Sequence, residues 1–445
     1  MGRAVLKALS IAAVAVVLSA PAATADGSLT IGATTVTPRS SSAAVGWQAS
    51  APARVVAEYG ITDEYGVWSK ATVALKTSGQ VVLAGLEPGS SYRFRLVATA
   101  GGQRAEATGS FATLPIPART NATTRPDALL LDGQPFFPRM VWKQCPWAYG
   151  ASLAAGINVF MGNGCGSGRD QLAAVAGRAF SVLGGAARGL NGRGLIGWHQ
   201  PDEPDEHAPK GGLPLLRPSS QTKRVSFLTL GNHFFSGSAP PPQGRGMYPD
   251  LVARAEMIGF DLYPLQIWCR RNAFQAVYEA QRELGALAAG KPTYQWIEAG
   301  PMHQCRGFDP SRATVRAETW LAIAGGARGI GYFPDSWWPG IAEEIAGINQ
   351  EIASLAPALL ASEAPVSTDQ TSPVKVGARS YNGATYVIAV NSSLARVRAT
   401  FSVLGLLATS VSVFGEARTL PVQAGTISDS FRGLGVHVYV VPPVS

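Results

Sequence analysis

Hydrophobic and polar positions divide the chain into three stretches of different period. From residue 27 to 115, apolar residues alternate with polar ones over short runs, at 44–47, 55–59 and 92–96, with turn residues between them. A period of two marks half-buried strands, so a β-sandwich is predicted over 27–115. A segment rich in Pro, Thr and Asn follows, from 116 to about 125, and reads as a linker. Beyond it, short apolar runs alternate with Ala-rich helical stretches, the pattern of a parallel α/β fold. Strands are predicted at 137–142, 157–162, 179–183, 195–199, 224–230, 257–263, 293–298 and 329–333. Helices are predicted at 151–155, 169–175, 249–256, 273–289 and 312–324. A last helix, about 340–360, carries Ile341, Ile345, Ile348, Ile352 and Leu355 on one stripe. Eight strands in about 235 residues predict a (β/α)8 TIM barrel over 126–362. The rival open sheet would need a Gly-rich phosphate turn after its first strand, and none is present. From Ser372 the period returns to two, and a C-terminal β-sandwich is predicted over 366–445.

The first 25 residues change the picture of where the chain works. Arg3 and Lys7 precede an apolar run from Ile11 to Leu18, and Ala-Thr-Ala ends at Ala25. This is the layout of a secretory signal peptide, and the run is too short for a comfortable membrane span. The mature protein is expected to be secreted and extracellular. Net charge is +8, or +6 once Arg3 and Lys7 are removed. The charges are scattered, so a nucleic-acid partner is not expected. Four cysteines follow the leader, Cys145, Cys165, Cys269 and Cys305, with no CxxC pair. Export favours two disulfides, and four cysteines allow three pairings. In the predicted ring they follow strands one, two, six and seven. Neighbouring loops would then pair Cys145 with Cys165 and Cys269 with Cys305.

In such a barrel the active site lies at the carboxyl ends of the strands. Strand four ends Gly197-Trp198-His199-Gln200-Pro201-Asp202-Glu203-Pro204, and strand seven ends Gln295-Trp296-Ile297-Glu298-Ala299-Gly300. Each puts a glutamate at the rim. These motifs resemble the retaining glycoside hydrolases of clan A, family 5-like. So do Asp132-Gly133-Gln134-Pro135-Phe136-Phe137 before strand one, Phe260-Asp261-Leu262-Tyr263-Pro264 on strand six, and 327–333 on strand eight. The resemblance implies Glu203 as acid/base and Glu298 as nucleophile. It implies a double displacement with a sugar ester on Glu298. One departure is Asp202, where the clan has an Asn that bonds the sugar 2-hydroxyl; an ionised aspartate can accept that bond but not donate one. In the first stretch, Leu86-Glu87-Pro88-Gly89-Ser90-Ser91-Tyr92 and 111–115 resemble the tyrosine corner and last strand of fibronectin type III domains.

Aromatic residues crowd the predicted rim, and indole faces suit sugar C–H faces. Trp142, Trp198, Trp296, Trp337 and Trp338 are candidate substrate contacts, with Trp147 and Trp268 nearby. Alternation puts Tyr294, Trp296 and Glu298 on one face. Asp202, Asn232, His233 and Tyr263 are further candidates. Tyr263 is expected to bond Glu298, Arg139 to orient a carboxylate, and His303 to sit after strand seven. Glu206 and His207 read as a solvated loop. The long loops 205–220 and 234–247 are expected to wall the cleft. No metal-ligand spacing occurs, so no metal or cofactor is expected. The expected partner of a monomer is a carbohydrate. The alternative is a non-catalytic glycan-binding protein on a degenerate barrel.

Overall fold

The computed structural model describes residues 27–443 apart from 186–188, 207–212, 218–223, 239–244, 303, 335 and 370. The leader expected at 1–25, His207 and His303 thus lie outside the described residues. The first unit holds β1 (Thr35–Pro38), β2 (Ser42–Gly60), β3 (Val67–Trp68), β4 (Lys76–Ala84), β5 (Ser91–Ala100) and β6 (Gln103–Ala112). The early half of β2 pairs with β1 and β4, and its late half with β3 and β5. One long strand therefore serves both faces of the unit, with its register shift between Gln48 and Ala53. Val45, Trp47, Val55, Tyr59, Leu83 and Phe94 are buried between them. The Tyr92 hydroxyl accepts the Glu87 N–H at 2.9 Å, closing the turn ahead of β5.

The segment expected to be a linker enters a three-stranded sheet instead: β7 (Ala122–Arg125), β8 (Ala128–Leu131) and β9 (Gln134–Phe136). Its apolar side chains explain the difference. Leu129, Leu131 and Phe136 join the barrel's inner core, with Phe136 edge-on to Phe180 at 5.2 Å. They seal the amino end of the ring.

The ring itself is a closed barrel of eight parallel strands. They are β10 (Arg139–Trp142), β11 (Val159–Met161), β12 (Phe180–Gly184), β13 (Leu195–His199), β14 (Val225–Leu230), β15 (Met257–Asp261), β16 (Thr293–Glu298) and β17 (Ile330–Phe333). Their inner residues, among them Met140, Met161, Val182, Ile196, Phe227, Met257 and Tyr294, fill the lumen. Helices α1 (Tyr149–Ala154), α2 (Gly168–Val175), α3 (Tyr248–Val252), α4 (Gln275–Leu287), α5 (Arg312–Gly325) and α6 (Pro339–Leu359) surround it. The stripe of isoleucines on α6 is buried as its spacing predicts. Among the described residues, no α-helix stands between β12 and β13 or between β13 and β14.

The last unit pairs a six-stranded sheet with a three-stranded one. The first runs β18 (Ser362–Glu363), β20 (Val374–Tyr381), β21 (Ala384–Asn391), β26 (Val436–Val441), β23 (Ser410–Val413), β24 (Arg418–Pro421). The second runs β19 (Val366–Thr368), β22 (Val397–Val403), β25 (Thr426–Phe431). It docks on α4 and α5: the Tyr278 hydroxyl donates to Val376 O, and buried Arg379 to Ile323 O.

Arg139, expected to orient a catalytic carboxylate, works at the other end of the barrel. It starts β10, and its guanidinium grips Glu87 of the first unit with both terminal nitrogens, one at 2.7 Å. Both side chains are nearly buried. Cutting one partner from such a pair costs about 3–5 kcal/mol, so Arg139 is a clamp between domains. Among the described residues, no helix is long and apolar enough to cross a membrane.

Candidate active site

The carboxyl ends of the strands open onto a cleft of about 610 Å³. Trp142 and Trp296 form its floor, ring centroids 5.5 Å apart and edge to face. Trp296 is fixed from below: its indole N–H donates to Thr229 Oγ1 at 3.1 Å, which also meets the Tyr294 hydroxyl at 2.8 Å. Two glycines make this layer possible. A Cβ on Gly259 would lie 2.0 Å from the Tyr294 ring, and one on Gly331 2.1 Å from the Trp296 ring. Lys143 stands over Trp142 at 4.5 Å, a cation–π contact.

Asp202 and Glu203 enter the cleft from the turn after β13. Gln200, buried, locks that turn by donating to Arg217 O, Ser226 Oγ and Arg254 O. The Glu203 N–H donates to Thr229 O at 3.1 Å, and a short 3-10 turn, Pro204–Glu206, follows. Glu203 itself has φ +43°, the left-handed region that L side chains enter at a cost. Such strain persists only where its surroundings hold it, and here it aims the carboxyl into the cleft. Asp261, the last residue of β15, reaches the same cleft from two strands away. The Tyr263 hydroxyl donates to Asp261 Oδ1 at 2.6 Å. Glu206 also lines the cleft, paired with His233 Nε2 at 2.8 Å. Asn232 takes the Ser238 hydroxyl on its Oδ1.

Burial sets the proton affinities. It raises Glu203 above the usual carboxylate range, and the charges of Asp202 and Glu206 add to the rise. Asp202 is raised by burial against the opposing pull of Lys143. Asp261 is raised strongly, by burial and then by Glu203 and Asp202, while the Tyr263 hydroxyl works the other way. His199, edge-on to Trp142 at 5.1 Å, is lowered by burial. A carboxylic acid kept protonated beside ionisable carboxyls and an aromatic floor can protonate a leaving oxygen.

Several expected contacts lie elsewhere. Glu298 is wholly buried and does not line the cleft. Its oxygens accept the consecutive N–H groups of Leu265 and Gln266, at 2.9 and 2.7 Å. Glu318 on α5 feels the charge of Glu298, and its two carboxyl oxygens have no hydrogen-bond partner among the described residues. The strand stops at Glu298, so the loop amides capture the side chain that alternation would have turned inward. Tyr263 accordingly bonds Asp261 rather than Glu298. Trp198 faces the helix layer, packed with Leu172, Leu183 and Leu195, because its neighbours on β13 take the inner positions. Trp337 and Trp338 sit just before Pro339, which starts α6, and pack on the core there; the Trp337 indole donates to Ser152 on α1. Trp147 is exposed and also outside the cleft.

Asp261, Glu206, Arg270, Ile267, Met302, Gln304 and Phe333 were not among the expected site residues, yet they line the cleft. The strand-end rule that selected Glu203 applies equally to Asp261. Cys145 pairs with Cys165 and Cys269 with Cys305, with Cα atoms 4.8 and 5.3 Å apart. The second bridge joins the two loops that carry Trp268, Arg270, Met302 and Gln304.

No protein-family model matches the chain, and no curated protein matches it. Solved structures overlap it at low identity. A GH30 endoxylanase from Clostridium papyrosolvens C71 is 12% identical with a TM-score of 0.45, over 68% of this chain and 96% of that one. A β-glucuronidase from Bifidobacterium dentium is 12% identical with a TM-score of 0.37, over 74% of this chain and 67% of that one. A Bacteroides uniformis β-glucuronidase 2 is 8% identical with a TM-score of 0.38, over 94% and 59%. Likenesses at this level carry no argument about the reaction.

Proposed function

We propose that the chain is a secreted glycoside hydrolase, which binds a poly- or oligosaccharide across the cleft and cleaves an O-glycosidic bond. The observation that carries this reading is the meeting of three carboxyls, Asp202, Glu203 and Asp261, over a floor of Trp142 and Trp296. Sugar rings stack on the floor. Glu203 protonates the leaving oxygen, and the charge of Asp202 faces the positive charge that develops at the anomeric carbon. Two disulfides at the rim fit an exported protein. A double displacement through Glu298 would need that carboxyl in the cleft. Its two amide bonds argue for an anchor of the loop after β15 instead.

The test is a panel of aryl glycosides and polysaccharides. Glu203→Gln should lose activity on poor leaving groups by about 10²–10⁴-fold and keep more of it on activated aryl glycosides, which need no proton. Hydrolysis of every substrate by Glu203→Gln at the parent rate, or none by the parent, overturns the reading. Loss of all turnover in a folded Glu298→Gln would return the nucleophile to Glu298. Retention at the anomeric carbon is what the clan resemblance implies, and NMR of the first-formed product checks it.

A further inference from the structure

We infer that Glu206 and Asn232, braced by His233 and Ser238, form the subsite for the sugar on the leaving-group side of the cleaved bond. The inference rests on the glycosidase reading and adds to it a preference for a hydroxyl-bearing sugar as leaving group. Glu206, Asn232 and His233 line the cleft from the turns after β13 and β14. The Glu206 N–H donates to Glu203 O at 3.0 Å, so one 3-10 turn presents both carboxyls to the same space. Glu203 hands its proton to the leaving oxygen and therefore stands beside it. Exposure rises from the floor toward the mouth: Trp296 is 2% exposed, the His233 side chain 22% and the Glu206 side chain 41%. A sugar seated on the tryptophan floor with its bond at Glu203 thus directs its leaving group outward, past Glu206 and Asn232.

The side chains are set for hydroxyl groups. His233 Nε2 holds Glu206 Oε1 at 2.8 Å, which leaves the other carboxylate oxygen to accept. The Ser238 hydroxyl donates to Asn232 Oδ1 at 2.6 Å, which makes the amide nitrogen the donor toward substrate. An acceptor and a donor on adjacent turns match two hydroxyls of one sugar ring.

Gly231 supplies the seat of the Glu206 carboxylate. A Cβ there would lie 2.5 Å from Glu206 Oε1. Gly231 has φ −64°, which other residues adopt freely, so the backbone does not require glycine at this position; the room for Glu206 does. The turn is also held without the Glu206–His233 contact. Asp205, buried, accepts the Gly231 N–H at 2.8 Å and the hydroxyl of buried Tyr248 at 3.1 Å. A pair as exposed as Glu206 and His233 adds little to stability, and its place is the cleft.

The experiment compares two substrates that share a glycone: the shortest oligosaccharide the parent cleaves and the methyl glycoside of the same glycone. Both leaving groups need the Glu203 proton, so the ratio of their kcat/KM values isolates contacts to the leaving sugar. Glu206→Gln keeps an oxygen for His233 but replaces the acceptor by an amide. In this variant the ratio of oligosaccharide to methyl glycoside should fall about tenfold, the weight of one hydrogen bond to a charged group. Asn232→Ala should lower the ratio too, and so should Gly231→Ala, which displaces Glu206 without altering it. If one variant does not fold, the others read the same contact. An unchanged ratio in the folded variants, or equal losses on both substrates, overturns the subsite and leaves the glycosidase reading standing. A parent that cleaves no glycoside overturns that reading and the subsite with it.

Discussion

Two groups of carboxyls belong to this barrel, one in the cleft and one behind its wall where Glu298 ends β16 and Glu318 lies on α5, and they differ in what surrounds them. Glu203 and Asp261 open onto the cleft, with a tyrosine hydroxyl and further carboxyls around them. Glu298 and Glu318 are sealed behind its wall, with two backbone amides on one member and nothing else on the other. Burial raises the proton affinity of all four. Only the first pair lines the cleft. A perturbed carboxyl at a strand end is therefore not a catalytic group until something leaves a path to it; the amides that stabilise Glu298 also take it out of reach.

The comparison breaks most easily at Glu298. Glu298→Ala should cost about 1–3 kcal/mol of stability, because the Leu265 and Gln266 amides lose a buried acceptor. A urea melt measures this. Asp261→Asn, at the open cleft, should lose less, and equal losses would erase the distinction drawn between the pairs.

A second test is the pH dependence of stability. Burial first, and then the charge of Glu298, lift Glu318 well above its ordinary value of 4.5. A carboxyl raised in the folded state binds its proton more tightly there than when unfolded. Its contribution is full below about 4.5 and is lost as pH rises toward the folded value. Glu318→Gln mimics the protonated acid at every pH. The variant should gain on the parent as pH rises from 4.5 to neutrality. Parallel stability curves would show that Glu318 does not hold its proton.

The smallest effect is expected at Tyr263. Its hydroxyl stabilises ionised Asp261. Tyr263→Phe should raise the proton affinity of Asp261 and move its midpoint in a carboxyl ¹³C NMR titration to higher pH by less than about one unit. A shift to lower pH would show that the hydroxyl does not stabilise the ionised aspartate.

The barrel was legible in the chain because its strands are short apolar runs at regular spacing. The 195–199 and 293–298 runs match β13 and β16 to the residue. Glu203 was legible from the strand-end rule. Asp261 lies in a motif that resembles the clan, but nothing local distinguishes an aspartate facing a cleft from one facing solvent. The tryptophans divide the same way. Trp142 and Trp296 line the cleft, whereas Trp198, Trp337 and Trp338 pack on helices. All five carry the same apolar surface, and which face of the wall they meet is set by strand twist and by where each strand stops.

Period and spacing by themselves determined the barrel with its eight strands, the β-rich stretches on either side of it and the position of the glutamate after β13. These follow from short-range preferences, repeated along the chain. Which carboxyl meets which was decided only by the tertiary structure. Glu298 and Leu265 are 33 residues apart, and Glu203 and Asp261 come from strands that are not neighbours in the ring. A glutamate side chain, with three rotatable bonds, turns toward whichever donor the closed barrel brings near, and that donor comes from another loop.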